Sequence, residues 1–262
     1  MKVEDILSGG HRRRRRRGNR LPRLRGVELA PIKLKEGGNV FDDVVPFDHK
    51  KIPAILKAVN SVMSKAGIEA IPIGSGATPT PGKVSGDLDT IVDQEQVAGA
   101  TGAKKPAEIK KALRALYDQA GFDTAQSGVS VHVRIPVGDE AHQVDIMVVP
   151  NAAQAAKFHT HDIPKGSPFK GVNKHLALAH LAKRNNMLWS PYQGLFGRND
   201  AGKKGDFITH DPDEVAKTLL GGSASAKDLG SLESMLAALG PDGDQLLADL
   251  RADPNWKEKS SG

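Results

Sequence analysis

Two aspartates stand two residues apart in the run Ser85-Gly86-Asp87-Leu88-Asp89-Thr90-Ile91-Val92-Asp93. On a strand such residues point to one face, so the carboxylates of Asp87 and Asp89 project together while Leu88 turns into the core. Two carboxylates held side by side raise each other's pKa unless a cation sits between them. Magnesium suits such a pair, because this hard cation takes one or two protein carboxylates plus phosphate oxygens of a substrate. Manganese accepts the same oxygen ligands. A third carboxylate, Asp145, interrupts the apolar run Val144-Asp145-Ile146-Met147-Val148-Val149, where a lone charge is costly without a partner. If its strand lies beside that of Asp87 and Asp89, the three converge on a site for two metal ions. One ion would activate an attacking hydroxyl, and the other would clamp a triphosphate and the departing pyrophosphate.

Gly74-Ser75 fits this chemistry from the other side. A glycine lets the main chain approach a phosphate, and a following serine offers both an N–H and a hydroxyl. Taken singly, Asp-x-Asp reads as a solvated strand end and Gly-Ser says less still. Their order, with a later Asp inside an apolar strand, is the specific signal.

The surrounding pattern supplies the elements. Ile52, Ile55, Leu56, Val59, Val62 and Met63 recur at helical spacing up to Gly67, and a short apolar strand, Ile68 to Ile73, runs into Gly74. Lys104 to Ala120 predicts a second amphipathic helix. Residues 129–149 predict a hairpin turning at Gly138-Asp139. A third helix is expected over Val172 to Asn185, then a second ribbon through Leu195-Phe196 and Asp206-Phe207-Ile208. Asp211-Pro212-Asp213-Glu214 is a strong helix start. Ser231 to Leu250 predicts one or two further helices around Gly240-Pro241.

In the Gly-Ser, Asp-x-Asp and third-Asp order, the chain resembles the polymerase-beta-like nucleotidyltransferases. It is most similar to the palm and thumb of family X DNA polymerases. The likeness extends through Gly166-Ser167, Val172-Asn173-Lys174, Leu181-Ala182-Lys183-Arg184-Asn185 and Tyr192-Gln193-Gly194-Leu195-Phe196, and covers roughly residues 50–222. The resemblance implies an α+β fold, a nucleotidyltransferase palm with a mixed sheet flanked by helices, followed by a small thumb-like subdomain. The expected organisation is a basic tail and linker over 1–46, the palm over 47–157, the thumb-like part over 158–222 and a helical extension over 223–262.

It implies transfer of a nucleoside monophosphate from an NTP or dNTP to a hydroxyl, most readily a nucleic-acid 3′ end, with two magnesium ions held by Asp87, Asp89 and Asp145. Asp145 would bind the catalytic ion and help activate the primer hydroxyl. Gly74, Ser75, Ser85 and Gly86 would lie against the nucleotide, with Gly166 in a nucleotide-pocket turn and Asn173 touching the incoming nucleotide. The family's arginine after Gly-Ser is replaced here by Gly76-Ala77-Thr78-Pro79-Thr80-Pro81, and Lys83 is the nearest substitute. Ile163-Pro164-Lys165 stands where an aromatic pair is common, so ribose against deoxyribose preference stays open. A minimal palm and thumb is expected, without the family's lyase and helix-hairpin-helix domains ahead of Gly74. Two other readings stay open: the same chemistry on a small molecule, RNA or protein, and a nucleic-acid-binding protein that no longer catalyses.

Composition narrows the classes further. With 39% hydrophobic and 26% charged residues the chain is that of a folded globular protein. It has no Cys, which excludes disulfides, thiolate metal sites and a Cys nucleophile. No apolar run approaches the length of a membrane helix, so a cytoplasmic protein without membrane contact is expected. The net charge of +6 is concentrated at one end. Residues 1–26 carry Lys2, Arg12, Arg13, Arg14, Arg15, Arg16, Arg17, Arg20, Arg23 and Arg25 against Glu4 and Asp5, and the rest of the chain is slightly acidic. The arginine run is expected to contact nucleic-acid phosphates. No obligate protein partner is evident. His159-Thr160-His161-Asp162 reads as structural or solvated, since a transition-metal site needs three or four placed ligands. Trp189 and Tyr192 read as packing residues. Arg198, Lys203 and Lys204 stand around a loop that is either solvated or laid on a nucleic-acid backbone. Ser75 has no triad context and is not read as an acyl nucleophile.

Overall fold

In a computed structural model of the chain, residues 40–160 and 162–257 are described. The arginine run and His161 lie outside them. Phe47–Asp48 forms β1, and one 3₁₀ turn capped by Asp48 leads into α1 (Ile52–Met63). Its buried residues Ile52, Ile55, Val59, Val62 and Met63 fall on one stripe, and Gly67 closes the following turn with φ +69°. Next come β2 (Ala70–Pro72), a 3₁₀ turn over Gly74–Gly76, β3 (Val84–Ser85) and β4 (Asp87–Asp93). The Asp93 carboxylate accepts from Glu95 N–H and starts α2 (Gln94–Thr101), and α3 is Pro106–Gln119. Then follow β5 (Thr124–Ser127), β6 (Ser130–Val137), β7 (Glu140–Val149) and α4 (Ala152–His159).

The central sheet has strand order β2-β4-β7-β6-β5. Only β4 and β7 run parallel; the other pairs are antiparallel. Alternation along the strands divides its faces. Leu88 and Val92 of β4, Val131, Val133 and Ile135 of β6, and Val144 and Ile146 of β7 pack beneath α1 and α3. On the opposite face Ile91, Met147 and Val149 meet Ile73 and α4 at one end. The other end of that face carries the carboxylates.

The rest of the chain is α5 (Asn173–Arg184), β8 (Met187–Ser190), β9 (Gly194–Arg198), β10 (Lys204–Thr209), α6 (Pro212–Leu220), α7 (Leu232–Leu239) and α8 (Pro241–Arg251). β8, β9 and β10 form an antiparallel sheet in sequence order. Leu178 and Leu181 of α5, Val215 and Leu219 of α6, Met235 of α7, and Leu246 and Leu250 of α8 share one apolar cluster. The stretch expected as a helical extension, 223–262, supplies α7 and α8, which complete the core that α5 and α6 begin.

The α+β class with a mixed sheet stands as expected. The amphipathic helices, the hairpin and the Asp211 cap lie where the pattern put them. Not anticipated were α2, α4, β5 and β8, which are short and carry weak periodicity. No helix among the described residues is long and apolar enough to cross a membrane.

Candidate active site

The register of β4 on β7 sets the site. Asp89 lies opposite Asp145, and Asp87 opposite Gln143. Asp87 and Asp89 share a pleat and Asp145 shares it across the parallel pair, so the three carboxylates emerge side by side on the face that α4 leaves open. Leu88, between the first two, is 1% exposed and anchors the strand in the core.

Crowding shapes their acidity. Loss of hydration first, then the charges of Asp87 and Asp145, push Asp89 up to about 7. Asp87 is likewise raised, by desolvation and by Asp145. Asp145 is better provided for than its apolar strand suggested. Its Oδ1 accepts from Gln143 Nε2 at 2.9 Å and pairs with His132 Nδ1 at 2.7 Å. His132 is buried, sits opposite Asp145 on β6, and bonds Ser127 Oγ on β5 through Nε2 at 2.7 Å. A carboxylate only accepts, so Nδ1 carries the hydrogen. A cation is therefore not the sole means of holding this aspartate in place, as the sequence had implied.

Among the described residues, no three aspartate, glutamate or histidine side chains are already closed around a cation position. The donor set nonetheless has the right chemistry. Three carboxylates on one face, two with raised pKa values, would be relieved by a hard divalent ion that prefers oxygen.

Gly74, Ser75 and Lys83 come together on the loop side. Gly74 has φ +57°, a conformation that favours glycine, and opens the 3₁₀ turn after β2. With Thr80, Gly171 and Val172 these residues line a cavity of about 370 Å³. A neighbouring cavity of about 280 Å³ shares Gly74 and Val172 and is bounded by Asp89, His159, His175 and Tyr192. Ser85 belongs to the first group through its hydroxyl, 3.1 Å from Ser75 Oγ. Gly86 is exposed between β3 and β4, and a Cβ there would meet nothing within 4 Å.

Two of the residues expected beside a nucleotide, Gly166 and Asn173, are not in the lining of either cavity. Gly166 occupies an exposed turn with φ +84° and lines neither cavity. Asn173 is fully buried at the start of α5, and both ends of its amide are engaged by Lys257, Nδ2 donating to the carbonyl at 2.8 Å and Oδ1 accepting from the N–H at 3.3 Å. It lines neither cavity. The extension near Lys257 lies beyond the span of the resemblance, and nothing in the motif around Asn173 points to it.

Three site neighbours were missed. Tyr192, read as a packing residue, lines the cavity beside Asp89, whose charge adds to burial in raising the phenol to about 12. His159 stacks on Tyr192 at 4.8 Å and is held neutral, at about 4, mainly by burial; this agrees with a structural histidine. His49, 1% exposed, contacts Ser85 and Thr80. No spacing rule relates His49 to Ser75 or Ser85, so only the fold could reveal it. Among the basic loop residues, Arg198 is occupied by the carbonyls of Met187 and Gly202, and Lys204 lies over the Phe196 ring at 3.7 Å. Lys203 is exposed.

No protein-family model and no curated protein matches the sequence. Among solved structures, the chain is similar to Leishmania infantum polymerase beta in a ternary gap complex, with 14% identity and a TM-score of 0.46 over 70% of each chain. A second structure of that protein, a ternary P/T complex, gives 16% identity and a TM-score of 0.39 over 71% of this chain and 72% of the other.

Proposed function

We propose that this protein is a metal-dependent nucleotidyltransferase that moves a nucleoside monophosphate from a nucleoside triphosphate to a hydroxyl, with a nucleic-acid 3′ end as the favoured acceptor. The observation that carries this reading is that three carboxylates share one face of the sheet and that one of them, Asp89, lines a cavity adjoining, through Gly74, the cavity of Gly74, Ser75 and Lys83. Asp87, Asp89 and Asp145 would hold magnesium, or manganese in its place, and the bound ions would supply charge neutralisation and a more acidic hydroxyl.

The chain's own groups do the rest. The backbone at Gly74 and the Ser75 hydroxyl present hydrogen-bond donors to phosphate oxygens, and Lys83 adds a positive charge on the same cavity wall. His132 and Gln143 fix one oxygen of Asp145, so the carboxylate enters the reaction already oriented. Tyr192 and His159 wall the side of Asp89 with a stacked pair of rings on which a base or sugar can rest. The arginine run would add sequence-independent grip on a nucleic-acid backbone.

The test is incubation of the full chain with magnesium, labelled nucleoside triphosphates and a panel of acceptors that includes primed DNA, single-stranded DNA and RNA, proteins and small alcohols. Transfer to a 3′ end that Asp145→Asn abolishes supports the proposal. Transfer only to another acceptor would keep the chemistry and replace the substrate. No transfer to any acceptor, with nucleic-acid binding retained, would leave a binding protein.

A further inference from the structure

We infer that His49 is a positioning residue for the phosphate cavity, acting through Ser85 to turn the Ser75 hydroxyl outward as a donor. This rests on the proposed binding of a triphosphate in that cavity, and goes beyond it by assigning a role to a residue outside the Gly-Ser and Asp-x-Asp motifs.

The direction follows from a chain of hydrogen bonds. The Thr80 backbone N–H can only donate, and it points at His49 Nδ1 at 3.0 Å. Nδ1 is therefore the bare nitrogen, and the ring's hydrogen sits on Nε2. Nε2 lies 2.8 Å from Ser85 Oγ and donates to it. Ser85 Oγ in turn lies 3.1 Å from Ser75 Oγ. Donation from Ser85 to Ser75 gives the Ser85 proton a partner and leaves the Ser75 proton free to face the cavity that Ser75 lines. A phosphate oxygen accepts only, so this polarity is the one that serves it. The reverse polarity would present an oxygen lone pair to an anion.

The same histidine also fastens the loop that carries the cation. His49 N–H donates to the Lys83 carbonyl at 3.0 Å, and β1 pairs with β3 so that Phe47 lies opposite Ser85. The bond to Lys83 is made by the His49 main chain and persists when the ring is replaced, whereas the ties to Thr80 and Ser85 run through the buried ring. The Thr80 bond requires a neutral ring, and burial, with Lys83 nearby, lowers the pKa of His49 in the same direction. The loop lacks the expected arginine, so an oriented hydroxyl and a fixed Lys83 carry more of the anion recognition.

The test uses the full chain with magnesium and inorganic tripolyphosphate, reading the concentration that half-saturates the rise in Tm. Phosphate held by the arginine run alone, in folded and unfolded chain alike, would leave Tm unmoved. His49→Phe should raise that concentration about tenfold or more, and His49→Gln, whose amide oxygen can accept from Thr80 while its nitrogen donates to Ser85, should restore most of the loss. In a Ser75→Ala background His49→Phe should have no further effect, an outcome that a general loosening of the loop would not produce. Should His49→Phe fail to fold, Ser85→Ala, which leaves His49 and its bond to Thr80 in place, carries the same cycle.

No tripolyphosphate-dependent rise in wild-type Tm would overturn the phosphate reading of the cavity and this inference with it. A wild-type rise that His49→Phe or Ser85→Ala leaves unchanged, or an equal loss in the Ser75→Ala background, would overturn only the role of His49.

Discussion

Burial of Asp89, and its crowding by Asp87 and Asp145, make replacing it by Asn stabilise the protein in EDTA while removing one of the proposed metal ligands. The folded state holds Asp89 at about 7 against an ordinary 3.8, a rise of about 3 pH units, which corresponds to a ceiling of about 4 kcal/mol. Asp89 keeps an exposed surface beside the cavity, so solvent screening reduces this to about 1–2 kcal/mol. The sign follows from proton counting. Between pH 4 and pH 7 the folded chain retains a proton that the unfolded chain has released, so stability falls as pH rises through this window and is lowest above it. Asp89→Asn keeps the shape and removes the charge. In EDTA at pH 8 its Tm should exceed that of wild type by about 3–6 °C, with a smaller gain at pH 5. Added magnesium should raise the wild-type Tm at pH 8 and do so much less for the variant. An Asp89→Asn protein no more stable than wild type at pH 8, or one with the same gain at both pH values, would refute the crowding on which this rests.

Other consequences are as direct. His132→Ala should destabilise the fold by about 1–3 kcal/mol in urea titrations, because it empties a buried position and removes the bond to Asp145 Oδ1, which then keeps only Gln143. Gly194→Ala should cost about 1–3 kcal/mol or more, since Gly194 has φ +96° and a Cβ there would lie 2.5 Å from the Thr209 carbonyl oxygen; an unchanged urea midpoint would contradict the close packing of β9 on β10. Removing residues 1–26, which carry ten of the basic side chains, should weaken DNA binding at low salt and flatten its dependence on log[salt] by about 0.9 for each phosphate that is no longer neutralised. Equal slopes for the full and trimmed chains would take the arginine run out of the interface.

Much of the site was legible because its cues are local. Asp87 and Asp89 share a face by strand alternation alone, Gly74 marks a backbone conformation that suits glycine, and Asp211 before Pro212 announces a helix. Asp145 stood out because a charge in a β-branched run demands a partner. The nature of that partner was not legible: His132 reaches it only because β6 pairs with β7 in one particular register. Asn173 has surroundings that were equally illegible: the chain near Lys257 folds back and bonds both ends of its amide. The short elements α2, α4, β5 and β8 escaped notice because their stability comes from what they pack against and not from their own periodicity.

The amino-acid sequence by itself determined the local geometry: which side chains alternate on a strand, where helices begin and end, and which residue types offer oxygen ligands, hydroxyls and positive charge. Tertiary structure decided adjacency. The parallel pairing of β4 with β7 brought residue 145 beside residue 89, and β1 laid His49 against Ser85. Local propensity depends on neighbours along the chain, whereas strand register and the contacts of loops are set by burial of the whole sheet, in which every distant segment takes part.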